Sequence, residues 1–190
     1  MLRDLQGCMD RLYTKEFTQF DHGRQGSAKR NWQTILLNNT TMKEQDHTIT
    51  ITVNATAQEA FKSINSVTKW WTENLEGSSE KVGDEFTVRF GDVHASTQRL
   101  VEVIPGKKIV WLVTDSQLNF IKDKREWTGT KISFDIDEKD NKTTIHFTHH
   151  GLVPEIECFD ACSNAWGDYI NNSLRNLVNT GKGQPTPKEK

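Results

Sequence analysis

From residue 47 the chain settles into a firm alternation in which Ile49, Ile51 and Val53 take turns with Thr48, Thr50 and Thr52, as a half-buried strand requires. That strand ends near Asn54. Thr56 and Glu59 then stand at capping-box spacing, and Ala57, Ala60, Phe61 and Ile64 share one side of the helix they open. A second brief turn carries Val67, Trp70 and Trp71. Gly77, Gly83 and Gly91 next punctuate a run of strands in which Phe86, Val88 and Phe90 alternate with polar residues. Val101 and Val103 lead into a Pro105-Gly106 turn that joins antiparallel strands, the returning strand being 110–113. A polar loop is expected over 114–125. Beyond it, Ile132, Phe134 and Ile136, a turn over 137–142, and then Ile145, Phe147 and His149 form a last hairpin.

Pro154 suits the first position of a helix, Glu155 and Glu157 suit the positive end of its dipole, and Gly181 suits the residue just past its C-terminus. One continuous helix of about 40 Å is therefore expected between them. Phe159, Cys162, Trp166, Ile170, Ser173 and Leu177 fall along one stripe of it. A strand, one or two short helices, an antiparallel meander and a long final helix bury two apolar faces against each other. The order predicts an α+β helix-grip: a curved antiparallel sheet wrapped around a long C-terminal helix.

The rest of the chain lacks this patterning. Residues 1–41 show no sustained period of 2 or 3.6 and read as a poorly ordered extension. The preferred reading is that translation begins at Met42, just before the patterned sequence; the alternative is a tether or regulatory arm. The domain proper is placed at 42–183, and 184–190 is a polar tail expected to fray. The 24 basic and 26 acidic residues nearly cancel and form no Lys/Arg stripe, which argues against nucleic acid as a partner. No stretch approaches the roughly 18 apolar residues of a membrane span, and the first thirty residues lack the apolar block of a signal peptide. Three cysteines are too few and too oddly placed for a secreted disulfide framework. The expectation is a cytoplasmic protein that does not insert into membranes.

Several residues invite chemistry. Trp70, Trp71, Phe86, Phe90, Trp111, Phe134, Phe147, Phe159 and Trp166, with Cys162 and Ile170 from the helix stripe, are candidates to line an apolar cavity, although most of the rings are expected to be plain core. Trp166 and Phe147 are the foremost of them, each sitting midway along an element that faces the other layer. Alternation sends His149 to the sheet's inner face and His150 to the outer one. Across the hairpin, His149 should lie near Thr130 or Ile132, with Glu126 further along the same face. These groups are candidates for acid and base chemistry; the plainer reading of His149 is a hydrogen-bonded inner histidine. Cys158 and Cys162 share one helix face, but with His149 they make an incomplete ligand set for zinc. Two small apolar core cysteines are preferred, and neither a metal nor a cofactor is expected.

The blocks ITVNATAQEAFKSI, VGDEFTVRFGD, EVIPGKKIVW, EWTGTKISFDI and HHGLVPEIECFDACSNAW resemble members of the SRPBCC, or START-like, helix-grip superfamily. Within it they are most similar to the branch related to the activator of the ninety-kilodalton heat-shock chaperone's ATPase, and the resemblance spans nearly all of 46–183. It implies a space between sheet and final helix that holds lipids, sterols, polyketides or other apolar molecules. It brings no invariant catalytic set. The leading expectation is thus a noncatalytic binding or carrier domain for a small, largely apolar ligand. A cyclase, dehydratase or hydrolase using His149 with Glu126 or Thr130 is the second reading. A module that partners a chaperone is the third.

Overall fold

A computed structural model describes residues 45–140 and 142–188; the expectations for 1–41 and for a start at Met42 lie outside them. The Thr/Ile alternation forms β1 (His47–Val53). Thr56 caps α1 (Ala57–Asn65) through a complete capping box with Glu59, and Ala60, Phe61 and Ile64 are its buried face. A short turn, Val67–Lys69, delivers Trp70 and Trp71 to the interior. The strands β2 (Leu75–Gly77), β3 (Glu85–Phe90), β4 (His94–Ile104), β5 (Lys108–Leu118), β6 (Lys131–Lys139) and β7 (Lys142–His150) follow. They join β1 in one antiparallel seven-stranded sheet, ordered β1-β7-β6-β5-β4-β3-β2. The final helix lies against the inner face, completing the α+β helix-grip. Among the described residues no helix is long and apolar enough to cross a membrane.

Three elements differ from the pattern reading. The β4–β5 hairpin continues well past Val113, to Leu118 paired with His94, because a bulge between Thr97 and Gln98 resets the register and keeps the ladder going. The polar loop therefore begins at 119 rather than 114. The final helix begins at Phe159 rather than 154 and is built from α2 (Phe159–Asp168), a wider π turn (Tyr169–Leu174) and α3 (Arg175–Thr180), about 33 Å in all. Residues 154–158 form turns instead. There Glu126 accepts the backbone N–H groups of Glu157 (2.7 Å) and Cys158 (2.9 Å), so a carboxylate from another loop supplies the cap. Gly181, with φ 76°, closes the helix as expected.

The tail, expected to fray, is docked as far as 188. Thr186 bridges to Thr72, its N–H donates to the Trp71 carbonyl (3.0 Å), its carbonyl accepts from Glu73 N–H (2.9 Å), and its hydroxyl meets Tyr169 Oη at 2.6 Å. In the π turn, Ser173 Oγ donates to the Trp70 carbonyl (2.7 Å) and accepts from Gln184 N–H (2.7 Å). Only glycine fits at 183, because a Cβ there would lie 2.1 Å from the Lys69 carbonyl oxygen. Backbone pairing, not apolar content, holds this segment.

Candidate functional site

Period-two alternation turns the same residues inward that the pattern selects, and their rings meet. Trp71 stacks on Trp111 (6.1 Å, 8°) and on Trp70 (6.1 Å), and lies 4.9 Å from Trp166. Trp111 in turn meets Phe86 (5.1 Å) and Phe134 (5.0 Å) edge-on, and Phe147 reaches both Phe134 (5.4 Å) and Trp166 (4.7 Å). These seven rings form one buried cluster, with Cys162 and Ile170 buried beside them on the helix. Phe90 and Phe159 are only half-buried, at its margin. Phe90 there lies 5.2 Å from His94 and 6.1 Å from Tyr169, and Phe159 lies 6.2 Å from His47.

His149 has no accessible surface and both of its nitrogens are engaged. Trp166 Nε1–H donates to His149 Nδ1 (3.0 Å), which fixes the remaining ring proton on Nε2; that N–H faces Thr130 Oγ1 at 3.0 Å, and the Thr130 hydroxyl donates to the Trp127 carbonyl (2.6 Å). The chain of donors runs in one direction and holds the imidazole neutral. Burial, reinforced by nearby histidines, pushes its pKa down to about 3. The structure thus brings Thr130 to His149. It does not bring Glu126, both of whose oxygens bind backbone N–H groups ahead of α2.

Trp127, absent from the pattern reading, occupies the place foreseen for a polar partner. Its ring lies 4.6 Å from His149, 4.8 Å from His94 and stacks on Trp166 at 5.9 Å, while its Nε1–H donates to Cys158 Sγ (3.2 Å). Its one signal in the sequence is a lone large ring in a polar loop. Cys158 and Cys162 are both reduced and buried. A hydrogen bond with Cys162, together with burial, raises the Cys158 pKa, which favours the thiol over the thiolate that a metal needs. With both His149 nitrogens committed, the three candidate ligands do not converge. Among the described residues no group of three or more His, Cys, Asp or Glu is placed to hold a metal.

One strip of the inner face is polar. His94, Ser96 and Gln98 follow one another on β4, and Ser116 opposite Ser96 bonds Thr128 at 3.0 Å. The Gln98 amide is assigned with Nε2 toward the Ser96 and Phe86 carbonyls (3.2 Å each) and Oε1 toward Ser96 Oγ (2.6 Å), since the reverse would set three acceptors against one another. Ser96 Oγ then accepts from His94 Nε2 (3.1 Å). Burial lowers the His94 pKa to about 4, although its edge at the margin keeps some exposure. Beside this strip, the fully buried Trp111 has an Nε1–H with no partner among the described residues.

The outer face carries a Ser–His–Asp chain, with Ser133 Oγ 3.0 Å from His150 Nε2 and His150 Nδ1 2.9 Å from Asp46 Oδ2. The described residues around it do not complete an acyl-transfer site. Ser133 is 4% exposed in mid-strand, and its pairing with both β5 and β7 engages the backbone donors that would have to face an oxyanion. Its evident role is to tie β1, β7 and β6 together.

Comparison with known proteins agrees with this architecture. No curated protein sequence matches the chain. The Aha1 dimer from Colwellia psychrerythraea is similar at 23% identity over 73% of this chain and 99% of its own, with a TM-score of 0.60. CalU16 from Micromonospora echinospora is similar at 11% identity over 72% of this chain and 75% of its own, with a TM-score of 0.53. DynU16, a protein in the dynemicin biosynthetic locus, is similar at 16% identity over 72% of this chain but 48% of its own, with a TM-score of 0.53. At these identities the likeness is one of fold. The model of a sequence family, described as Activator of Hsp90 ATPase homolog 1-like protein, matches residues 56–179, about two thirds of the chain, so the chain belongs to this family, a branch of the SRPBCC superfamily.

Proposed function

We propose that the domain binds a small, largely apolar molecule between the inner face of the sheet and the C-terminal helix, and that it binds without catalysing a reaction. The observation that carries this reading is the Trp111 indole N–H, a fully buried donor without a partner among the described residues, set among rings and beside the Ser96–Gln98 strip. A buried unpaired donor costs about 1–3 kcal/mol, a cost that plain core packing has no reason to retain. A ligand with an apolar body and one hydrogen-bond acceptor would satisfy it. Entry is placed at the half-buried margin of Phe90, His94 and Tyr169. His149, neutral and with both nitrogens engaged, has neither a free lone pair nor a free proton for acid–base work, which speaks for binding over turnover.

The test uses an anilinonaphthalene sulfonate dye, which combines apolar rings with acceptor oxygens. Saturable one-to-one binding, weakened about tenfold in Trp111→Phe as one lost hydrogen bond would require, supports the reading. No saturable binding, or unchanged binding in Trp111→Phe together with raised stability, contradicts it.

A second reading takes the partner from the family's description. Val82 and Val101 are exposed, and the Gly83 N–H bond to the Leu100 carbonyl (2.8 Å) brings the loop carrying Val82 alongside β4. A contact of this corner with the ninety-kilodalton chaperone would raise that chaperone's ATPase rate, and Val101→Lys would remove the effect.

A further inference from the structure

The segment that follows the final helix holds on by one edge. Gln184, Thr186 and Lys188 each turn a backbone N–H toward the body of the domain: Gln184 donates to Ser173 Oγ (2.7 Å), Thr186 to the Trp71 carbonyl (3.0 Å) and Lys188 to Glu73 Oε2 (3.2 Å). Between them stand Pro185 and Pro187, which carry no N–H to leave unpaired on the other edge. Proline also fixes its own φ and biases the residue before it to extended backbone, so the segment keeps its docked shape when it comes away. No residue of 183–188 stands among the core side chains, so release exposes little apolar surface of its own. At the root, Gly181 and Gly183 flank Lys182, a stretch able to absorb the dihedral change of a hinge.

The partners of this segment border the ring cluster. Trp71, whose carbonyl accepts from Thr186, stacks on Trp111 and lies 6.0 Å from Phe90. Tyr169, whose hydroxyl meets that of Thr186 at 2.6 Å, lies 6.1 Å from Phe90. Thr72 Oγ1 stands within bonding distance of two carbonyls, that of Thr186 (3.4 Å) and that of Arg89 (3.3 Å), the residue before Phe90. Tyr169 and Ser173 both come from the π turn, an irregularity of the kind that recurs at functional sites. The segment thus lies against the half-buried margin at which ligand entry is placed.

We propose that residues 183–188 are a strap that gates this entrance, swinging away as a unit to admit the apolar molecule and docking again over it. The gate rests on the binding reading above. Because the strap closes by the same contacts over the empty and the filled site, it slows entry and escape alike and leaves the dissociation constant unchanged.

Two variants of the full chain move the gate in opposite directions. Thr72 and Thr186 are bridge partners, and neighbouring strands lie about 4.8 Å apart, inside the roughly 4.4–6.8 Å between Cα atoms that a disulfide spans. Thr72→Cys with Thr186→Cys, in a Cys8→Ser background, therefore locks the strap on oxidation and frees it on reduction. Gly183→Ala loosens the strap instead, because a Cβ there meets the Lys69 carbonyl oxygen. Stopped-flow exchange of the anilinonaphthalene sulfonate dye should be about tenfold slower in both directions in the locked protein than in the same protein reduced, and faster in Gly183→Ala than in the parent, with dissociation constants within about twofold. Equal exchange rates in locked and reduced protein, or a dissociation constant altered through the dissociation rate alone, would overturn the gate. A parent that binds no dye sinks the binding reading, and the gate is then decided without a ligand by acrylamide quenching in a Trp32→Phe background, where the five remaining indoles are buried. Stronger quenching in Gly183→Ala than in the parent, and weaker quenching in the locked form than in the reduced one, would uphold the strap's control of access; equal quenching throughout would overturn it.

Discussion

Mild acid should weaken this fold through two histidines. His149 and His94 have pKa values lowered by burial from the usual 6.5 to about 3 and about 4. In the unfolded chain both return to ordinary values, so between about pH 6.5 and 4 the unfolded state binds protons that the native state refuses. Both folded values are depressed; the stability they provide is complete above the unfolded pKa and is lost as pH falls. At pH 5 the unfolded imidazoles are almost fully charged and the native ones almost fully neutral, which costs about 2 kcal/mol for each, or about 4 kcal/mol together, relative to pH 7.5. Against a total stability of about 5–15 kcal/mol that is a large fraction. Urea midpoints at pH 7.5, 6 and 5 measure it for the parent, for His149→Gln, for His94→Gln and for the double variant. The parent midpoint should fall steeply, each single variant should lose a large part of the slope, and the double variant should keep only a shallow one, left by His47, whose pKa burial also lowers. A parent midpoint independent of pH, or a double variant keeping the full slope, would refute the argument.

Other expectations follow from single contacts. Trp166→Phe keeps most of the ring but removes the donor to His149 Nδ1, so it should cost about 1–3 kcal/mol, whereas Trp166→Ala should cost about 3–5 kcal/mol; a urea midpoint for Trp166→Phe equal to the parent's would deny that hydrogen bond a role. Gly183→Ala should lower the thermal midpoint by several degrees, as much as truncation after Lys182, because the Lys69 carbonyl blocks the new Cβ; a silent substitution would show that the tail's docking adds nothing. Cys158 and Cys162 should resist Ellman's reagent at pH 8 in the native protein and react at once in urea, and rapid labelling of either in the native state would contradict their burial.

The helix-grip was legible because its elements keep their periods: two along β1, β3, β6 and β7, and the single inward stripe along the final helix. The inward turn of His149 followed from alternation, and of the two neighbours expected across the hairpin Ile132 pairs with it in register while Thr130 meets its ring. What stayed hidden depends on contacts between segments distant in sequence. Glu126 looked like an inner-face carboxylate, yet it caps backbone groups 31 and 32 residues away, which no local pattern encodes. The second half of β5 read as a loop because its inward positions are Ser116 and Leu118, and the serine is accommodated only through Thr128. Trp127 has no periodic neighbours to announce it, and the tail's polar composition conceals a segment held by backbone hydrogen bonds.

The claim at the centre of the account, that the ring cluster around Trp111 binds a small apolar molecule, is met most directly by native mass spectrometry of the protein purified from its own host. The account predicts a one-to-one complex with a molecule of a few hundred daltons, released on denaturation and depleted when Trp111→Phe is purified in the same way. Only the bare mass of the chain under gentle conditions, for parent and variant alike, would contradict it and leave the ring cluster as ordinary core.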